Sequence, residues 1–167
     1  MIPIDLLFEA VLFGILLGCF YAAVSLGLSV AFGLLDVPYV AHPALLILGS
    51  YFTFLLSKTG IDPIICGLLL MPVFYVIGIA LYRFYYETFE RRSSDTGVRG
   101  LAFFFGIAFI IEVCLILVFG VDQRTVSATY IGSSLEIGEY RFPYRMLVAF
   151  GIAIFLTTLL TLSLIHI

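Results

Sequence analysis

The chain has 167 residues, 63% of them hydrophobic and 11% charged, with a formal net charge of −3. Soluble domains are nearer half apolar and a quarter charged, so too little polar side chain is present to coat a water-facing globule. The absence of a concentrated basic face excludes a nucleic-acid binder, and the mean hydropathy of +1.21 points to lipid as the solvent.

Five apolar runs carry the sequence, near 6–35, 40–56, 64–82, 101–119 and 146–164, and nearly all the charge falls between them. A bilayer core about 30 Å thick needs about 20 mainly apolar residues per helix, and each run meets or approaches that length. The expected fold is all-α: a polytopic transmembrane helix bundle of about five spans, forming one domain over 1–167. Cys19, Cys66 and Cys114 all sit inside apolar runs, which suits small packing residues rather than disulfides or a metal site. No basic residue precedes the first run, so it reads as a retained span and not as a cleaved signal peptide.

The first run holds Gly14, Gly18, Ala22 and Gly27. Gly14-x-x-x-Gly18 and Gly18-x-x-x-Ala22 line small residues along one helical face, where a second helix can come close. The run exceeds one crossing, which predicts a tilt or a break near Gly27 or Gly33. Asp36-Val37-Pro38 follows, and Pro38 biases Val37 away from helix and ends the span. The second run opens on Tyr39-Val40-Ala41-His42-Pro43. Pro43 suits either the first turn of a helix or a broken helix lining a cavity. Lys58 to Pro63 makes a polar turn, Pro63 begins the third helix and Pro72 interrupts it.

Tyr82-Arg83-Phe84-Tyr85-Tyr86 has the aromatic and basic character of a headgroup boundary. The stretch 87–100 then reads as an exposed polar loop. After the fourth run, residues 122–145 form the longest polar stretch. Within it, Leu135 to Phe142 alternates apolar and polar around Gly138, which predicts a small hairpin on the membrane surface. Arg83, Arg91, Arg92 and Arg99 crowd one short connection and mark it cytoplasmic, although Lys58, Arg124, Arg141 and Arg145 equal them in number on the other side. Five spans would then put the N-terminus outside and the C-terminus inside.

No catalytic constellation is present: there is no G-x-S-x-G elbow, no H-E-x-x-H zinc motif and no phosphate-binding G-x-x-x-x-G-K-[ST] loop. The chain therefore reads as neither an enzyme nor an ATPase, with no cofactor or metal expected. Two polar residues within apolar runs are candidates for function. Glu112 lies inside the fourth span, where an acidic group costs about 2.5–3.5 kcal/mol on insertion scales. Fourteen Leu, Ile, Val and Phe residues in that run offset this at roughly 0.3–0.6 kcal/mol each. The helix still inserts, but Glu112 must face protein or water. It either lines a permeation path or makes an interhelical hydrogen bond. His42 either caps a helix start or contacts substrate at the mouth of a broken helix.

The stretch Phe20-Tyr21-Ala22-Ala23-Val24-Ser25-Leu26-Gly27-Leu28-Ser29-Val30-Ala31-Phe32-Gly33 resembles the first-span signature of branched-chain amino-acid ABC transporter permeases. So does Ala41-His42-Pro43-Ala44-Leu45-Leu46-Ile47-Leu48-Gly49-Ser50-Tyr51. The Phe119-Gly120 ending, Gly132 to Gly138, and Tyr144-Arg145-Met146-Leu147 match in order and spacing, so the resemblance covers about 6–160. It implies a permease subunit of an importer in the bacterial cytoplasmic (inner) membrane. Its partners would be a second, related permease, two cytoplasmic ATP-binding subunits and a periplasmic substrate-binding protein. Partner ATPases would drive alternating access. Tyr39, His42, Pro43 and Glu112 fall where the substrate pathway would run.

Departures from the family pattern fall at the same places. The family's Asn-Phe-Ala-His-Gly stands here as Tyr39-Val40-Ala41-His42-Pro43, and its usual fourth-span Gln stands as Glu112. Branched-chain amino acids and related small polar solutes such as urea or amides are thus both open as cargo. Family members continue beyond a fifth span into a basic segment and further helices, so the chain is expected to be the N-terminal part of a longer permease. The other class of function is a small homo-oligomeric channel or membrane scaffold without ATP coupling, with a pore built around Glu112.

Overall fold

A computed structural model describes residues 4–35, 37–92, 96–126, 128, 130, 132–137 and 140–166. Five α-helices carry it: α1 (Ile4–Leu35), α2 (His42–Ser57), α3 (Pro63–Thr88), α4 (Thr96–Phe119) and α5 (Tyr144–Ile165). A two-stranded antiparallel hairpin, β1 (Ser134–Ile137) with β2 (Tyr140–Pro143), precedes α5. The helices α1, α3, α4 and α5 are each long and apolar enough to cross a membrane, the mark of a multi-pass membrane protein. With 16 residues, α2 is shorter.

Every apolar run is a helix, but the boundaries shift. Polar residues prolong α3 to Thr88 and begin α4 at Thr96, so most of the expected loop 87–100 is helical, including a 3₁₀ turn at Glu90–Arg92. Backbone hydrogen bonding continues a helix into the headgroup layer without apolar side chains, and Arg83 Nε donates to Glu87 Oε1 at 3.0 Å, an i,i+4 pair that suits it. The helix α1 is unbroken at Gly27 and Gly33, which removes the break from the expected tilt or break. An isolated glycine costs a helix only about 1 kcal/mol, whereas Pro38 removes a donor and restricts its neighbour. Pro43 and Pro63 each sit in a first turn, and Asp62 Oδ1 accepts from the Ile64 N–H at 2.8 Å as the α3 cap. Pro72 lies inside α3, leaving the Leu68 carbonyl without its usual N–H partner.

The chain falls into two compact units, 31–127 and 1–30 together with 128–167. In the first, the connector after α1 is the centre of the core. Consecutive i→i−2 bonds, Tyr39 N–H to Val37 carbonyl at 2.8 Å and Val40 N–H to Pro38 carbonyl at 2.9 Å, fold it tightly. Val37, Ala41, Tyr85 and Phe104 are buried together, with Phe89 and Phe103 packed around them. Gly100 lets α4 approach this knot: a Cβ there would stand 2.9 Å from the Tyr85 hydroxyl and 3.0 Å from Pro38 Cγ.

In the second unit, the hairpin expected from the alternation is present, and its register pairs Leu135 with Phe142 and Glu136 with Arg141. Its expected central Gly138 lies outside the described residues, as does Asp36. The Tyr144 N–H donates to the Ser133 carbonyl at 3.1 Å, which ties the hairpin to the start of α5. Leu16, Leu17 and Phe20 of α1 share a small cavity of about 220 Å³ with Arg145, Met146 and Ala149 of α5.

Candidate functional site

A cavity of about 650 Å³ opens between α2 and α3. Ligand sites commonly measure about 300–1,000 Å³ and are mainly apolar with a few polar groups. The connector supplies Tyr39; α2 supplies His42, Leu45, Leu46, Gly49, Ser50 and Thr53; α3 supplies Gly67, Leu70, Met71 and Phe74; Val126 completes the lining. Helical spacing explains the set. Positions 42, 46, 49 and 53 recur every three or four residues, as do 67, 70, 71 and 74, so each helix turns one stripe to the cleft.

Two glycines keep the cleft open. A Cβ at Gly67 would meet nothing within 4 Å, and one at Gly49 would meet the Phe74 ring at 3.5 Å. The Phe74 ring lies edge-on to Phe52 at 6.2 Å between centroids. Serine and threonine bring polarity without free protons: Ser50 Oγ donates to the Leu46 carbonyl at 3.0 Å and Thr53 Oγ1 to the Gly49 carbonyl at 2.9 Å. Each hydroxyl oxygen keeps lone-pair capacity for a donor in the cleft.

Tyr39 and His42 stand at one end of the cavity, their ring centroids 6.1 Å apart. Tyr39 packs edge-on against the buried Phe104 at 5.0 Å, and burial pushes its phenol above the ordinary tyrosine range. It also lines a second cavity of about 210 Å³, with Gly78, Tyr82 and Phe104 among its walls. Tyr39 is thus the partition between two spaces, anchored on the aromatic core.

Of the four residues expected along a pathway, the cavity unites Tyr39 and His42. Pro43 is exposed at the first turn of α2 and outside the lining. Glu112 is also exposed, on α4, and lines none of the described cavities. Gly14, Gly18, Ala22 and Gly27 are exposed along α1, and a Cβ at Gly14 or Gly18 would meet nothing within 4 Å. Sequence reasoning missed Ser50, Thr53, Gly67 and Phe74. The legible signal was the small and hydroxyl stripe at 49, 50 and 53. Among the described residues no group of three or more His, Cys, Asp or Glu is placed to hold a metal ion. No known protein family, curated protein or solved structure matches the chain.

Proposed function

We propose that the chain is a membrane permease subunit of an ABC importer, offering part of a path for a branched-chain amino acid or a related small polar solute. One observation carries this reading. The cleft of about 650 Å³ is bounded by Tyr39 and His42, from the stretch that resembles the permease family. Its apolar walls suit an aliphatic side chain, and Ser50 and Thr53 offer acceptors to an ammonium or amide group. A second permease subunit, two ATP-binding subunits and a periplasmic binding protein complete the machine. ATP binding by the partners would rock the helices around the cleft.

The test isolates the full chain from its native membrane in mild detergent and reconstitutes what accompanies it into vesicles. Nucleotide-binding subunits should co-purify, and radiolabelled leucine or urea should enter only with ATP. Gly67→Leu, which places a side chain in the open cleft, should abolish entry. Ion conduction by the purified chain alone, or uptake indifferent to Gly67→Leu, would refute the assignment.

A further inference from the structure

The cleft and the smaller cavity that Tyr39 also lines are successive parts of one groove on α3. Both spaces are lined entirely by residues of unit 31–127. Leu70 and Phe74 of α3 border the cleft of about 650 Å³, and Gly78 and Tyr82 border the cavity of about 210 Å³. Those four positions recur every fourth residue, which sets them along one side of the helix. From Phe74 to Gly78 is about one turn, or about 6 Å along the axis at 1.5 Å per residue. Among the described residues Tyr39 alone borders both spaces.

Tyr39 is held in place as a wall. Its ring meets the buried Phe104 edge-on, 5.0 Å between centroids, and its N–H donates to the Val37 carbonyl at 2.8 Å. Behind it the groove is open, since a Cβ at Gly78 would meet nothing within 4 Å. In front of it the cleft is ordered along α2. Ser50 and Thr53, whose hydroxyl oxygens keep acceptor capacity, lie about two to three turns beyond His42. Leu45 and Leu46 line the stretch between those hydroxyls and the Tyr39 end. A solute with its polar group at Ser50 or Thr53 therefore lays its aliphatic part against leucine, pointing at the Tyr39 ring.

We infer that Tyr39 sets the length of solute that the cleft accepts, and that the cavity of about 210 Å³ is the same groove's extension, closed off by the Tyr39 ring. An aliphatic chain anchored at Ser50 and Thr53 gains burial with each added methylene until it meets the ring, and gains nothing after it. The inference rests on reading the cleft as a solute site, and it adds the residue that limits the solute.

The test measures equilibrium binding of radiolabelled straight-chain primary amides, from propionamide to decanamide, to the full chain in mild detergent. Affinity should climb by up to about fourfold per methylene and then level off. Each variant is read as its ratio to wild type at one chain length, which cancels partition of the amide into detergent. Tyr39→Ala should bind the longest amides at least about tenfold more tightly, the gain from about two further buried methylenes, and the gain should be confined to long amides. Tyr39→Leu, which keeps an apolar contact with Phe104, should move the limit the same way by less, and it decides the matter if the alanine variant does not fold. Tyr39→Phe keeps the ring and should keep the limit at the wild-type length. Gly78→Leu added to Tyr39→Ala refills the extension and should restore that limit. A limit unmoved in the alanine and leucine variants, a lengthened limit that Gly78→Leu leaves in place, or no saturable binding at any length would overturn the inference. ATP and partner subunits take no part, so a shifted limit without ATP-driven uptake would refute the transport reading alone.

Discussion

Gly100→Ala is the sharpest probe of the aromatic knot. The added methyl carbon would lie 2.9 Å from the Tyr85 hydroxyl, 3.0 Å from Tyr85 Cε2 and 3.0 Å from Pro38 Cγ. Ordinary carbon contacts are about 3.5–4.0 Å, so each neighbour must retreat by about half an ångström. Neither can do so easily: Tyr85 is 2% exposed among Phe89, Phe103 and Phe104, and Pro38 is a rigid ring in a tightly folded connector. Overpacking of this kind costs about 1–3 kcal/mol, while alanine gains up to about 1 kcal/mol over glycine in helix propensity. Gly97, three residues earlier on α4, has nothing within 4 Å of its Cβ position. Gly97→Ala collects the propensity without the clash, so it should be neutral or stabilising. The expected gap between the two variants is about 2 kcal/mol. Unfolding by SDS titration in mixed micelles, followed by near-UV circular dichroism of the tyrosines, measures it. A Gly100→Ala chain as stable as Gly97→Ala would show that α4 does not press against Pro38 and Tyr85 as described.

Other substitutions probe separate layers of the argument. Phe104→Ala empties a site that is 1% exposed and should destabilise by about 3–5 kcal/mol in the same titration. Asp62→Ala removes the oxygen that accepts from the Ile64 N–H and should cost about 1 kcal/mol, with Asp62→Asn recovering most of it. Arg83→Ala should shift stability by less than about 0.5 kcal/mol, because both partners of the Arg83–Glu87 pair are largely exposed. Gly67→Leu should leave SDS resistance near wild type, since its side chain enters open space; a large loss of stability would mean that the cleft closes in the folded chain.

Helix number and order were legible because apolar runs of this length have few alternatives in lipid. The ends were less so. Arg83 and Glu87 look like loop residues on a hydropathy scale, yet α3 passes through both, since the i→i−4 ladder is indifferent to side-chain polarity. The hairpin could be read from alternation alone, which fixes register when one face differs from the other. The site was half legible. Tyr39 and His42 stand out as polar residues beside a proline, whereas Gly67 and Phe74 are ordinary apolar-span residues until α2 is placed opposite α3. For Glu112, the sequence gives the energetic cost of burial in lipid but not the direction of the side chain. Only the packing of α4 shows that it points away from the cleft.

The brevity of α2 bears on the membrane itself. Sixteen residues at 1.5 Å each give about 24 Å, several ångströms less than an average hydrocarbon layer. At its C-terminal end the Lys58 ammonium lies 4.5 Å from the Phe54 ring centroid, folded back toward the greasy part of the helix. Thinning of the lipid beside α2 is one way to bring both of its tips to the headgroups, and the cleft lies alongside that helix. Long-chain lipids would resist the deformation and short-chain lipids would relieve it. Acyl length thereby becomes a control on how near the mouth of the cleft lies to water.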